Sequence, residues 1–426
     1  MTDRDAANRY DCVIVGAGHA GSACVGALRQ AGFAGTIALI GDELDIPYHR
    51  PPLSKALLTG ERAHDDLALR PAEFYEKQNV TLMLGVRVDN IDRPAKVLHL
   101  TDGSRVGFGD LVLATGSSNR SIPVKGVDLP GVLSLRGMED ARALKTALEK
   151  GGTMIIVGAG YIGLEVAASA RKLGLNVVVV EREDRVLKRV GSVPVSEKIQ
   201  AYHEGQGVRF LLNAEVAGFE GESELKAVVL KDGTHLAAES ALIGIGAVAN
   251  QQIAERAGLK CGNGIIVDDD TRTDDPHIYA IGDCTMRPLA ALGSHGRLES
   301  VHNANEQAKR AAAAICDKPQ RPVEVTWNWS DQYDLRIQSA GIAGDGLNIV
   351  VRGDKLPDPV AVFRLDANDV IIMAETINAP AEFNFSRDAI GKGLKLDPAK
   401  LRDRTVPIRE CIVQSEQQTE DNLCRA

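Results

Sequence analysis

Six glycines in this 426-residue chain are spaced to hold phosphate: Gly16, Gly18 and Gly21 form one GxGxxG run, and Gly158, Gly160 and Gly163 form another. The first glycine of such a run permits a tight turn, the second lets the backbone approach a pyrophosphate, and the third allows close helix–strand packing. The phosphates then meet a helix N-terminus, where free N–H groups and the dipole favour negative charge. One bare run is equally compatible with a glycine-rich loop that holds nothing. Here both runs are followed by an acidic residue, Asp42 at 21 residues past Gly21 and Glu181 at 18 past Gly163. That is near the roughly 20-residue spacing of a carboxylate that accepts hydrogen bonds from an adenosine ribose. Two such sites suggest one dinucleotide held tightly and one that exchanges, which a flavin and a nicotinamide satisfy as FAD and NADH. Glu181 would repel a 2′-phosphate and so favours NADH over NADPH, while the nearby Arg182 and Arg185 pull the other way.

The elements that must place these glycines are legible around them. Residues 12–15 read as an apolar strand and 36–40 as a second. Between them Ala20, Ala23, Cys24, Ala27, Leu28 and Ala31 form one stripe of a 3.6-residue helix. The plan recurs as a strand at 154–157, a helix carrying Ile162, Val166, Ala167, Ala170 and Leu173, and a strand at 176–180. Each copy continues through an Asp-Gly turn (Asp102-Gly103; Asp232-Gly233) into an apolar strand ending in glycine, 111–116 and 241–246. We therefore expect two Rossmann-like dinucleotide-binding domains, the second inserted in the first: residues 1–118 with 247–322 for FAD, and 119–246 for NAD. Alternating runs at 323–329, 335–339, 348–351, 360–365 and 370–375, then a helix near 380–390, read as an α+β domain over 323–413. Residues 414–426 read as a polar tail.

Composition agrees. Hydrophobic residues make up 44% and aromatics only 4%, with 42 glycines, so the core is built from small aliphatics, as suits parallel sheets covered by helices. A net charge of −9 argues against nucleic acid as partner. No stretch approaches a membrane span and the polar start lacks a secretory layout, so a cytoplasmic protein is expected. The seven cysteines are scattered with no CxxC pair, which argues against a bound metal or iron–sulfur cluster. Cysteine is absent between Cys24 and Cys261, so the region after the second strand also lacks the CxxxxC of flavin disulfide reductases.

The stretches VIVGAGHAG (13–21), RPPLSK (50–55), LVLATG (111–116), VGAGYIGLE (157–165), YAIGDC (279–284), ESVHN (299–303) and WSDQY (329–333) together resemble the FAD-dependent ferredoxin reductases of bacterial oxygenase systems. The resemblance spans nearly the whole chain and implies a glutathione-reductase-like α/β fold with an added C-terminal domain. It implies FAD contacts at Gly16, Gly18, Ala20, Gly21, Asp42, Arg50, Lys55, Val88, Ala114, Thr115, Gly116, Arg136, Asp283, Val301 and Trp329. For NAD it implies Gly158, Gly160, Tyr161, Ile162, Gly163, Glu165, Glu181 and Gly246. Asp283 could instead simply cap the next turn.

The resemblance also implies that Lys55 reaches toward flavin N5 and pairs with Glu165, and these are the expected catalytic residues. Without it, Lys55 reads as a solvated charge and Glu165 as a complement to the helix dipole. Flavin couples a hydride donor to a one-electron acceptor, so the protein's task is positioning and electrostatics. Strand alternation puts Trp327 and Trp329 on one face; the resemblance places Trp329 beside the flavin and leaves Trp327 as packing. The role of His302 stays open. The implied partner is a small acidic [2Fe–2S] ferredoxin serving a cytochrome P450 or a Rieske oxygenase, with the reductase a monomer or weak dimer. Two acidic proteins need local complementarity to dock, and Lys309 and Arg310, on the helix expected after Asn303, are the candidate patch. The alternatives are an NADH oxidase or rubredoxin reductase, and a redox-responsive interaction flavoprotein of the apoptosis-inducing-factor type.

Overall fold

The computed structural model describes residues 8–342 and 348–413, and the polar tail expected at 414–426 lies outside them. The first apolar run forms the strand Asn8–Val15, flanked in parallel by Ile37–Ile40 and by Arg105–Leu113. These belong to a seven-stranded sheet in which Val80–Met83 extends the parallel side. The antiparallel strands Val97–Leu100 and Val88–Asp92 form the other side. Ile278–Ala280 returns from far along the chain to pair in parallel with Arg105–Leu113. Helices His19–Gln30 and Val301–Ile315 share one apolar cluster with this sheet, contributing Ala20, Cys24, Leu28, Ala304, Ala308 and Ala311.

The second copy is a five-stranded, wholly parallel sheet in the order Val208–Leu211, Asn176–Val180, Thr153–Val157, Ser240–Ile243, Val132–Leu133. The parallel strands Ile37–Ile40, Thr153–Val157, Asn176–Val180 and Ser240–Ile243 read as near-continuous apolar runs, as strands buried on two faces do. Ser117–Asn119 and Ala247–Ala249 form a short antiparallel pair. After the helix Val301–Ile315, five antiparallel strands follow in the order Trp327–Gln332, Leu335–Gly341, Ile371–Ile377, Val360–Leu365, Asn348–Arg352, and the helix Pro380–Gly391 comes next. The expected run at 323–329 is partly corrected. Residues 323–326 form no strand and Val323 is 62% exposed. Alternating apolar residues alone do not distinguish an extended connection from a paired strand.

Candidate functional site

Both glycine runs adopt the geometry their spacing implies. Gly16 and Gly158 sit at φ +116° and +106°, and a Cβ on either would lie 2.1 Å from the carbonyl oxygen of Ala114 or 2.5 Å from that of Gly244. On Gly21 and Gly163 it would lie 2.0 and 2.2 Å from the carbonyl oxygens of Gly16 and Gly158. The chain's own packing thus accounts for the first and third glycine of each run. The middle glycines differ. Among the described residues, a Cβ on Gly18 would meet no atom nearer than Arg50 Nε at 4.0 Å, and one on Gly160 would meet none within 4 Å. No described residue would crowd a side chain there. Gly18 and Gly160 are also the N-cap residues of their helices, no side chain caps either helix, and neither first turn carries an acid. Two uncapped twelve-residue helices facing open space fit two pyrophosphates.

Around the first run, Arg136 donates to Asp283 at 2.9 Å and Ser117 donates to the same oxygen at 3.2 Å, with Gly116 beside the Arg136 guanidinium. Gly282 packs on Ala20, which brings the Asp283 turn to the first helix's N-terminus. Asp283 therefore holds more than a local turn. Arg50 donates to the Arg136 carbonyl at 2.7 Å and to Glu43 at 2.5 Å, and Glu43 also accepts from Tyr48 at 2.5 Å. Thr115 and Asn250 exchange hydrogen bonds at 2.6 and 2.9 Å, fixing the backbone of 114–116. Val301 opens its helix after the N-cap Ser300, which accepts from Asn303 N–H. Asp42 is exposed, and Val88 is a core residue packed with Val15 and Leu100, so its side chain does not join this group. His19, beside Gly18, was not singled out from sequence. Its Nε2 is buried with no hydrogen-bond partner among the described residues, and burial lowers its pKa to about 4, so the ring stays neutral.

At the second run, Glu181 turns back onto the glycine loop, accepting from Ala159 N–H at 2.6 Å and Glu183 N–H at 2.9 Å. Arg185 is committed to the carbonyls of Gly191 and Lys188 and to Ser196, while Arg182 is exposed beside Glu183. Gly246 (φ +102°) lies against the Arg189 guanidinium, and Ile162 is 43% exposed at the helix mouth. Burial and the neighbouring Glu375 and Glu165 push the Tyr161 hydroxyl far above its usual pKa, so it stays neutral.

Between the two runs Lys55 Nζ meets Glu165 at 2.9 Å, with Asp331 at 3.9 Å. Glu165 is 6% exposed and also accepts from Ser54 at 2.5 Å and from Ser330 at 2.6 Å. Thus the 50–55 loop, the helix Tyr161–Lys172 and the strand Trp327–Gln332 meet at one carboxylate. Ser54 and Ser330 lie inside PPLSK and WSDQ, yet spacing alone gives no sign that they meet. Trp327 and Trp329 share a face, with ring centroids 5.6 Å apart, and Trp327 also packs on His302 at 5.6 Å. His302 pairs with Glu324 at 3.0 Å.

The expected docking patch divides. Lys309 is exposed, with Glu324 at 3.4 Å. Arg310 is not a surface residue: it is 6% exposed and is bound to Glu306 and to the carbonyls of Asp269 and Arg321. Residues 309 and 310 point about 100° apart on a helix, so only Lys309 can meet a partner. Among the described residues no helix is long and apolar enough to cross a membrane, and six cysteines are free.

Residues 10–308 match the family described as pyridine nucleotide-disulphide oxidoreductase, and residues 327–412 match the reductase C-terminal domain. The chain is 43% identical over 398 residues to a probable ferredoxin reductase of Castellaniella defragrans, covering 93% of this chain and 97% of the relative. It is 38% identical to putidaredoxin reductase of Pseudomonas putida, covering 94% and 96%. In three dimensions it is similar to the crystal structure of the covalent putidaredoxin reductase–putidaredoxin complex, with TM-score 0.90, 37% identity, and 96% and 98% of the two chains covered. With two nucleotide-shaped glycine turns, a fold shared to this degree and a family match over most of its length, the chain belongs to the pyridine nucleotide-disulphide oxidoreductases.

Proposed function

We propose that the chain is a cytoplasmic NADH-dependent ferredoxin reductase, passing electrons from NADH through bound FAD to a [2Fe–2S] ferredoxin that serves a cytochrome P450 or a Rieske oxygenase. The observation that carries the reading is the Lys55–Glu165 pair, which joins the loop of one nucleotide unit to the fingerprint helix of the other. The relatives named ferredoxin reductase support it, as does a C-terminal domain of matching kind. In this reading residues 1–118 and 247–322 hold FAD, 119–246 hold NAD, and 323–413 complete the site. Gly16, Gly18, Ala20 and Gly21 would take the FAD pyrophosphate with Arg50, Arg136 and Asp283 nearby. Asp42 would take the ribose, and Ala114, Thr115, Gly116 and Val301 would line the cofactor. Bound there, FAD supplies the coupling of a two-electron donor to a one-electron acceptor. Lys55 and Glu165 orient the reacting face, Tyr161 and Ile162 border the nicotinamide approach, and Trp329 lines the side open to the partner.

The test is cytochrome c reduction by NADH with a panel of purified bacterial ferredoxins. Ferredoxin-dependent stimulation is expected; stimulation by rubredoxin only, or by none, overturns the reading.

Two further outcomes follow from the geometry. Glu181 is held toward the glycine loop and Arg185 is occupied, so NADH is the preferred donor. Hydrogen bonds to charged groups contribute about 1.5–3 kcal/mol, so Glu181→Ala should raise KM for NADH about 10- to 100-fold and erase the preference over NADPH. An unchanged NADH/NADPH ratio contradicts the assignment. Lys309→Glu should raise KM for ferredoxin about fivefold, the scale of one rim charge, without altering NADH-to-ferricyanide activity. Equal effects in both assays would exclude a docking role.

A further inference from the structure

The buried Lys55–Glu165 pair stands at the end of a longer polar chain. Ser330 (0% exposed), Gln332 (1%) and His203 (0%) lie in line behind it. Ser330 Oγ is 2.6 Å from Glu165 Oε1, Gln332 Nε2 is 3.1 Å from Ser330 Oγ, and His203 Nε2 is 2.8 Å from Gln332 Oε1. The direction of every bond is forced from the carboxylate end. A carboxylate only accepts, so the Ser330 hydroxyl proton points at Glu165. That hydroxyl oxygen then accepts from the Gln332 amide, which turns the Gln332 carbonyl toward His203. The carbonyl in turn requires the His203 proton on Nε2, and His203 Nδ1 has no partner among the described residues. Burial depresses the imidazole pKa to about 4, consistent with this neutral tautomer.

We propose that Ser330 and Gln332 are positioning residues for the Lys55–Glu165 pair, through an ordered donor chain that begins at His203. The inference rests on the reductase reading for what the pair does, and on the hydrogen bonds alone for how it is held. Glu165 has three donors: the hydroxyls of Ser54 and Ser330, both on packed backbone, and the ammonium of Lys55, on a flexible four-carbon stem. With both hydroxyls in place, Ser54 holds Oε2 and Oε1 is shared between Ser330 and Lys55 Nζ, so the ammonium does not serve that oxygen alone and keeps its place at the cleft. Without the Ser330 hydroxyl, Lys55 is the one donor left on the buried Oε1, and its stem is free to move. It is drawn inward, away from the position facing the cleft and from the partly exposed Asp331.

The experiment measures two quantities on the FAD-bound protein. One is the rate at which an amine-acetylating reagent modifies Lys55, read by mass spectrometry. The other is the limiting rate of flavin reduction at saturating NADH. In Ser330→Ala both should fall about tenfold, the size of one net hydrogen bond, with KM for NADH unchanged; Ser330→Thr, which keeps the hydroxyl, should restore both. If Ser330→Ala does not fold, Gln332→Leu provides the same two readings, because it removes the donor that orients Ser330. Lys55 acetylation that is unchanged or faster in these variants overturns the proposal. A wild-type flavin that NADH does not reduce would instead refute the reductase reading, and the acetylation rates would still decide how the pair is held.

Discussion

Lys55→Met should retain FAD at full stoichiometry and slow its reduction by NADH about 100-fold, the scale of losing one preorganised electrostatic group or of a small misplacement of reacting partners. Methionine matches the lysine stem in length and flexibility and removes the ammonium, with its charge and its hydrogen-bond donors. The competing effect is on stability. Removing one partner of a buried pair can cost about 3–5 kcal/mol. Here the cost is reduced on two counts: Lys55 is 19% exposed, and Ser54 and Ser330 remain as donors to Glu165. The fold should therefore survive, and FAD content measured on the same preparation separates lost catalysis from lost cofactor. Anaerobic stopped-flow at saturating NADH gives the rate, and an unchanged value removes Lys55 from the chemistry.

Local patterns were enough to place both glycine turns. The strands expected at 176–180 and 360–365 are found at those bounds, and the two tryptophans do share a face. These follow from periodicity and turn chemistry over a few residues. What local patterns did not supply is long-range. Ser330 meets Glu165 across 165 positions of chain, and Gln332 meets His203 across 129. Nothing in a serine or glutamine inside a strand announces that its partner lies on another unit's helix. His19 shows a second limit, since it sits inside the recognised glycine run and its unpartnered nitrogen is apparent only once burial is known. Glu43 shows a third. It follows Asp42 directly, yet Tyr48 and Arg50 hold it while Asp42 stays exposed.

The same contrast governs the helix Val301–Ile315, where Glu306→Ala should be the most destabilising change made to any of its charged residues. Glu306 is 6% exposed and lies between two buried guanidiniums, Arg287 at 2.5 Å and Arg310 one turn along the helix. Truncation leaves two like charges facing each other out of water, and an uncompensated buried charge costs about 3–5 kcal/mol. Arg310→Ala should cost less, because Glu306 keeps Arg287 at Oε2, and what loses a donor is Glu306 Oε1 with the carbonyls of Asp269 and Arg321. Lys309→Ala, one residue away and exposed, should lie within about 0.5 kcal/mol of wild type. Because the helix begins at the expected flavin contact Val301, the loss should appear as earlier thermal release of FAD fluorescence, in the order Glu306→Ala, Arg310→Ala, then Lys309→Ala. If Lys309→Ala and Arg310→Ala release FAD at the same temperature, the burial that separates the two adjacent cations, and with it the removal of Arg310 from the docking patch, does not hold.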